Sequence, residues 1–363
     1  MLLRGCFRIF FFYDVGEAFD LEKLRDLLGS RGGSTKPDFP RRTPDYVRFE
    51  NPPIAEPCEP ITLPTGEHVI CSIKYYEYAI VEVQLEATFE TAWDTLLAQA
   101  SGWMDSADVE PQGRAVVRRH LQRIAQTVIK PREEWLQENY LVVELNEVHG
   151  ETGTALTADE LLSAHGEQIA QLIRGEQNRL AHTTTERVLQ GSLSYSPTDL
   201  LVVGSSAALV YDRPDETVWT IQILEYAKMQ LLEFRYYDNF MTRVLSEVYN
   251  TLERKRNVLF SRWTLPRDAN RLNTIRLDVM ELTERIDNAI KFVSDAFYAL
   301  AYRLAASRVG VPDYRELVEK KLETARELYE FMVNQFNETR LFVLEVAITL
   351  LCLLDVLLLL RGK

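Results

Sequence analysis

The chain has 363 residues, of which 46% are apolar and 26% charged, and a formal net charge of -13. That balance belongs to a folded protein long enough for two or three domains, and it excludes wholesale disorder. The negative charge argues against a general nucleic-acid binder, because phosphate repels a surface that is acidic on average.

β-Forming residues cluster in 5–15 (Phe7, Ile9, Phe11, Tyr13), and Arg8 and Asp14 interrupt the run too early for a signal-peptide core, so it reads as a buried strand. Asp20 then precedes apolar positions at Leu21, Leu24, Leu27 and Leu28, with Gly29 as the stop, which predicts a short helix. Residues 31–64 hold eight of the fourteen prolines and predict a long irregular excursion. A hairpin is expected over 67–76 and 78–88, helices over 89–101 and 111–130, and a strand over 140–148. Helical stretches should follow within 158–189, and two strands, 199–203 and 207–211, should flank a turn at Gly204-Ser205-Ser206. These features predict an α+β N-terminal domain over residues 1–212.

The texture changes after Pro214. Leu224, Leu231, Leu245, Leu252 and Leu259 recur in one register, with Ala227, Phe234, Met241 and Val248 three places on. Asp238 stands where a leucine would continue that seam, either to fix the register or, as the blander expectation, to face solvent on a curving helix. A second helix carries Leu272, Val279, Ile286, Val293 and Leu300 with Ile275, Leu282, Ala289 and Ala296. Gly310-Val311-Pro312 divides it from a third. Residues 213–340 are thus expected to form a long antiparallel, coiled-coil-like helical stalk.

The third helix continues into residues 341–360, where only Glu345, Thr349 and Asp355 are neither apolar nor sulfur-bearing. Twenty helical residues span about 30 Å, the hydrocarbon thickness of a bilayer. This predicts one C-terminal transmembrane helix, a tail anchor with the large N-terminal part in the cytoplasm. At 100° per residue, Glu345, Thr349, Cys352 and Asp355 fall on one stripe. A polar stripe in lipid is best hidden against another helix, so homo-oligomerisation is expected. Around the loop expected between the first and second helices, which the antiparallel hairpin sets level with the start of the span, Arg254, Lys255, Arg256, Arg262, Arg267, Arg271 and Arg276 stand with one acid, Asp268. The segment carries +6 against -19 for the remainder. With Phe260, Trp263 and Leu265 beside them, these residues are expected to rest on anionic membrane lipid.

The four cysteines (Cys6, Cys58, Cys71, Cys352) share no CxxC-like spacing, so neither a disulfide framework nor a zinc site is read from them, and a reducing compartment fits. His68, His120, His149, His165 and His182 form no HExxH and no ligand pair on one helix, and surface or satisfied-core roles are expected. Asn337-Glu338-Thr339 matches a glycosylation sequon on the expected cytoplasmic side and reads as accidental. No catalytic constellation and no cofactor emerges.

The stretch Lys321-Leu322-Glu323 through Glu327-Leu328-Tyr329, followed by Thr339-Arg340-Leu341 and Leu354-Asp355-Val356, resembles the required-for-meiotic-nuclear-division family, domain of unknown function 155. The likeness covers about forty residues. It departs where the family shows His-Ser before the arginine and Glu-Trp after the leucine, because this chain reads Glu338-Thr339-Arg340-Leu341-Phe342-Val343. The resemblance implies an α+β domain, long helices and one C-terminal span, in a family whose eukaryotic members are implicated in sporulation and in mitochondrial translation. No functional residue is carried over. The expected function is a tail-anchored, oligomeric membrane scaffold or tether whose N-terminal domain binds an unidentified cytosolic protein. Two alternatives are kept: a CorA-like channel, although the chain has neither two spans nor Gly-Met-Asn, and a membrane-bound enzyme.

Overall fold

The computed structural model describes residues 2–29, 33–34, 53–62, 68–105, 107, 109–148, 155–255 and 296–361, with isolated positions between 270 and 280. The described residues form a mixed α/β N-terminal region and a long C-terminal helix. They divide into two compact units, 1–233 with 288–312, and 234–287 with 313–363.

The first unit is organised around β1 (Leu3–Asp14), whose aromatic and β-branched residues suit a strand buried on both sides. It pairs antiparallel along its whole length with β7 (Ile80–Thr91) and with β9 (Leu136–Val148). The ladder with β9 shifts register at Arg4/Gly5, and a Cβ on Gly5 would lie 1.9 Å from the Glu144 carbonyl oxygen, so only glycine fits that bulge. Outward on one side lie β6 (His68–Tyr75), β4 (Ile54–Pro57) and β3 (Gly33–Ser34), with β5 (Ile61–Thr62) paired to β6. On the other side β12 (Ala207–Tyr211) runs parallel to β9, and β11 (Leu200–Val203) and β10 (Ser192–Leu193) complete the sheet. A small pair, β2 (Ala18–Phe19) and β8 (Val128–Ile129), stands apart.

Asp20 caps α1 (Leu21–Leu28) through Lys23 N, and Gly29 ends it at φ +52°, as the sequence predicts. The expected hairpin is β6 and β7, and the turn at Gly204 joins β11 to β12. The helical stretches expected within 158–189 are α4 (Ala158–Arg174) and α5 (His182–Leu189), and Gly175 adopts the left-handed conformation that stops the first. The proline-rich excursion, expected to lack regular structure, contains β4 and β5. Pro57 closes β4 and leaves its ladder with β6 intact. Residues 35–52 of the excursion lie outside the described residues.

One face of the sheet (Phe7, Ile9, Phe11, Tyr13, Val81, Val83, Leu85, Ile73, Tyr75, Leu141, Val143) builds the main apolar core with α1, α2 (Trp93–Met104), α3 (Glu110–Ile124) and α4. The other face carries polar residues on β6, β7 and β9, of which Glu82, Gln84 and Glu144 are buried, under the first turns of α6 (Pro214–Lys255). Within this unit Lys74 reaches Glu82 (3.0 Å) and Glu225 (2.6 Å), Arg8 pairs with Glu86 and with Glu144 (2.8 Å), Lys228 meets Glu138 (2.6 Å), and Thr217 donates to Glu144 (2.9 Å). The heptad positions Leu224, Ala227 and Leu231, read as the start of a stalk, are therefore buried within the α/β unit itself. α7 (Ala296–Val309) also belongs here, through Tyr302, which donates to Gln230.

In the second unit the later part of α6 buries Met241, Val244, Leu245 and Val248, and α8 (Val311–Arg361) buries Val318, Ala325 and Met332. Asp238 does not face solvent. Its carboxylate accepts from Lys321 Nζ (2.5 Å), which also reaches Thr242 Oγ1 (2.6 Å), so the broken heptad position is filled by an ion pair. The seam expected in the second helix, from Leu272 to Val293, lies outside the described residues.

Candidate functional site

Two places in the described residues carry chemistry. The first is on the core-facing side of β4 and β6. Residues two apart on a strand share a face, so Ile54, Glu56 and the following Cys58 point the same way, opposite Cys71, Ile73 and Tyr75 of β6. Cys58 N donates to the Cys71 carbonyl (2.9 Å), which sets the two cysteines directly across from each other. α3 brings His120 and Arg123, three residues apart and so on one helix face, onto this edge.

Glu56 is 3% exposed, and one of its oxygens accepts from His120 Nδ1 (2.6 Å), Tyr75 Oη (2.7 Å) and Arg123 Nη2. Burial alone would raise its pKa, but the bonds from His120 and Tyr75 and the nearby positive charges outweigh that and hold it below the ordinary carboxylate range. The other face of the imidazole meets sulfur, with His120 Nε2 3.7 Å from Cys58 Sγ. Contacts with Cys58 and Glu56 push His120 up to about 9, so the ring is an imidazolium at neutral pH. Contact with Cys71, together with burial, raises the Cys58 thiol, and contact with Cys58 lowers Cys71. Two cations thus surround one carboxylate, and a thiolate on the neighbouring sulfurs would balance the excess.

Sequence reading set these residues aside for want of a motif. The fold brings Cys58, Cys71 and His120 together across 62 positions of chain. The signals available were the strand alternation Glu56-x-Cys58, the spacing Cys71-x-x-x-Tyr75 and the helix spacing His120-x-x-Arg123. The other described histidines lie elsewhere: His165 stacks on Trp93, His68 contacts Thr62, and His182 is exposed beside Glu186.

The second place is the end of α8. This helix is long and apolar enough to cross a membrane. From 341 to 360 every described side chain is exposed, from Leu341 at 67% to Leu360 at 73%. Glu345, Thr349, Cys352 and Asp355 are exposed with it, and Thr349 Oγ1 donates back to the Glu345 carbonyl (2.8 Å). Of the basic set, Arg254 and Lys255 lie in the last turn of α6, while Arg256, Arg262, Arg267, Arg271 and Arg276 lie outside the described residues.

A family model described as the N-terminal domain of the uncharacterized protein MJ0711 matches residues 4–217, from β1 to the first turn of α6. The chain belongs to that family. The protein MJ0711 of Methanocaldococcus jannaschii is 21% identical over 200 residues, which cover 55% of this chain and 61% of the relative. No solved structure matches. The match corrects the resemblance to the required-for-meiotic-nuclear-division family. The matched family is a different one, and its match lies in the sheet and the helices that cover it, whereas the likeness lay in α8. Charged, leucine-rich composition followed by an apolar run is common to long helices of unrelated proteins, so it discriminates poorly.

Proposed function

We propose that this protein is a membrane-anchored scaffold or tether, in which 341–360 crosses the bilayer once and keeps the α/β unit at the membrane surface for a protein partner. The observation that carries the reading is a twenty-residue apolar helix with no described side chain buried, a surface that water would disfavour over its full length. Fifteen of its residues are Leu, Ile, Val or Phe, contributing on the order of 0.3–0.6 kcal/mol each to insertion. The stripe through Glu345 and Asp355 supports self-association within the membrane, and the basic segment 254–276 supports contact with anionic headgroups. Deleting 341–363 tests the anchor. The full chain should stay in the carbonate-resistant membrane pellet, and the shortened chain should move to the soluble fraction with its protease-resistant α/β unit intact. A folded, shortened chain that still pellets through carbonate would overturn the reading.

A further inference from the structure

We propose that Cys58 and Cys71 are a thiol–disulfide exchange pair, with Cys58 as the attacking thiol, Cys71 as the resolving thiol that first takes up the Cys58 proton, and the His120–Glu56 couple as the cation that stabilises the Cys58 thiolate once it forms. The geometry supplies each part. The two cysteines are a hydrogen-bonded cross-strand pair, for which Cα atoms stand about 5.5 Å apart, within the span that a disulfide bridges. Cys58 is partly exposed and Cys71 is 1% exposed, so an incoming disulfide meets Cys58 first. His120 Nε2 lies beside Cys58 Sγ, and Glu56, fixed by Tyr75 and Arg123, keeps the ring charged and oriented. A metal centre fits less well, because no three His, Cys, Asp or Glu side chains among the described residues converge as ligands.

The substrate class is a disulfide, RSSR. The Cys58 proton passes to the Cys71 sulfur, the Cys58 thiolate so formed attacks one sulfur, the RS–SR bond breaks, a Cys58–SR bond forms, and the departing RS⁻ takes the proton from His120 Nε2. Cys71 Sγ then attacks Cys58 Sγ, and the second RS⁻ leaves with the Cys71 proton. The sum is two protein thiols and RSSR giving one Cys58–Cys71 disulfide and two RSH, so RSSR is reduced and the protein pair is oxidised. Excess thiol reverses it.

The test uses the full chain in detergent micelles, exposed to glutathione disulfide, then quenched with an alkylating agent and read by peptide mass spectrometry. A linked Cys58–Cys71 peptide should appear and should disappear on addition of excess reduced glutathione. Cys71→Ser should stop at a glutathione adduct on Cys58, and His120→Asn should slow the first step roughly tenfold, as the thiolate fraction falls. Wild-type protein that stays dithiol under excess glutathione disulfide would overturn the proposal, and this outcome needs no variant to fold. Adducts that form on Cys71 or Cys6 in place of Cys58, or a His120→Asn variant of native circular dichroism that reacts at the wild-type rate, would overturn it as well.

Discussion

Replacing Glu82 by glutamine tests how α6 is held on the sheet. The Glu82 carboxylate is fully buried, 3.0 Å from Lys74 and accepting from Tyr76 (2.7 Å). Three cations of this seam (Arg8, Lys74, Lys228) face five acids (Glu82, Glu86, Glu138, Glu144, Glu225), and burial with the neighbouring Glu225 charge pushes Glu82 up to about 7. In the unfolded chain the same group titrates near 4.5. Because the folded value is the higher, the protonated acid favours the folded state. The contribution is full below about pH 4.5 and is lost as pH rises through about 7. A gap of about 2.5 pH units corresponds to about 3 kcal/mol, of which about 2.5 kcal/mol falls between pH 5 and pH 8. Glutamine keeps the shape and an acceptor for Tyr76 but cannot ionise. The melting temperature of Glu82→Gln, followed by circular dichroism of the full chain in micelles, should therefore gain roughly 5–10 °C on wild type between pH 5 and pH 8. Melting curves that shift in parallel across that range would refute the reasoning. Lys74 would then hold Glu82 ionised throughout.

Changing Glu345 and Asp355 together to leucine should preserve or improve insertion, by up to about 5 kcal/mol, because each acid costs about 2.5–3.5 kcal/mol near the bilayer centre. The same variant should alter oligomer size in detergent, measured by light scattering, and an unchanged size would count against the polar-stripe interface. A chain ending at Thr339 should float with anionic liposomes at low salt, and binding should fall at high salt and with neutral lipid. Full binding after Arg262, Arg267 and Arg271 are changed to Glu would remove the lipid contact from consideration.

The sequence was most informative where one residue type has one physical use. Asp20 and Gly29 mark the ends of α1 because a capping carboxylate and a left-handed glycine each suit helix ends. The run of apolar residues after Arg340 could be recognised because few helices of soluble units are so apolar over twenty residues. It was least informative where one pattern has two uses. Leucines seven apart describe a helix lying on a sheet as well as a helix in a coiled coil, and α6 is buried in the α/β unit up to Glu233 before it continues into the second unit. Alternation in Ile80-Val81-Glu82-Val83-Gln84-Leu85-Glu86 predicts a strand with one wet face. Here Glu82 and Gln84 are buried, with Glu82 bonded to Lys74, a partner on the neighbouring strand.

The same ambiguity hid the thiol site. Lys74 and Tyr75 are adjacent on β6 and point to opposite faces of one sheet, and each face carries a charge imbalance of its own sign. Under α6, acids outnumber cations, and the surplus is relieved by a proton held on Glu82. On the core side, His120 and Arg123 outnumber Glu56, and the surplus positive charge faces the Cys58 sulfur. Each imbalance is a sum over strands and a helix, with Lys74 and Glu225 lying 151 positions apart and Glu56 and His120 lying 64 apart, so no short sequence window contains it. What a window does contain is the alternation that separates the two sums. A reading that tracked the parity of each charged or sulfur-bearing residue along β4, β6 and β7 would have placed Glu56, Cys58, Cys71 and Tyr75 on one side and Lys74, Glu82 and Glu86 on the other, before any helix was set against either.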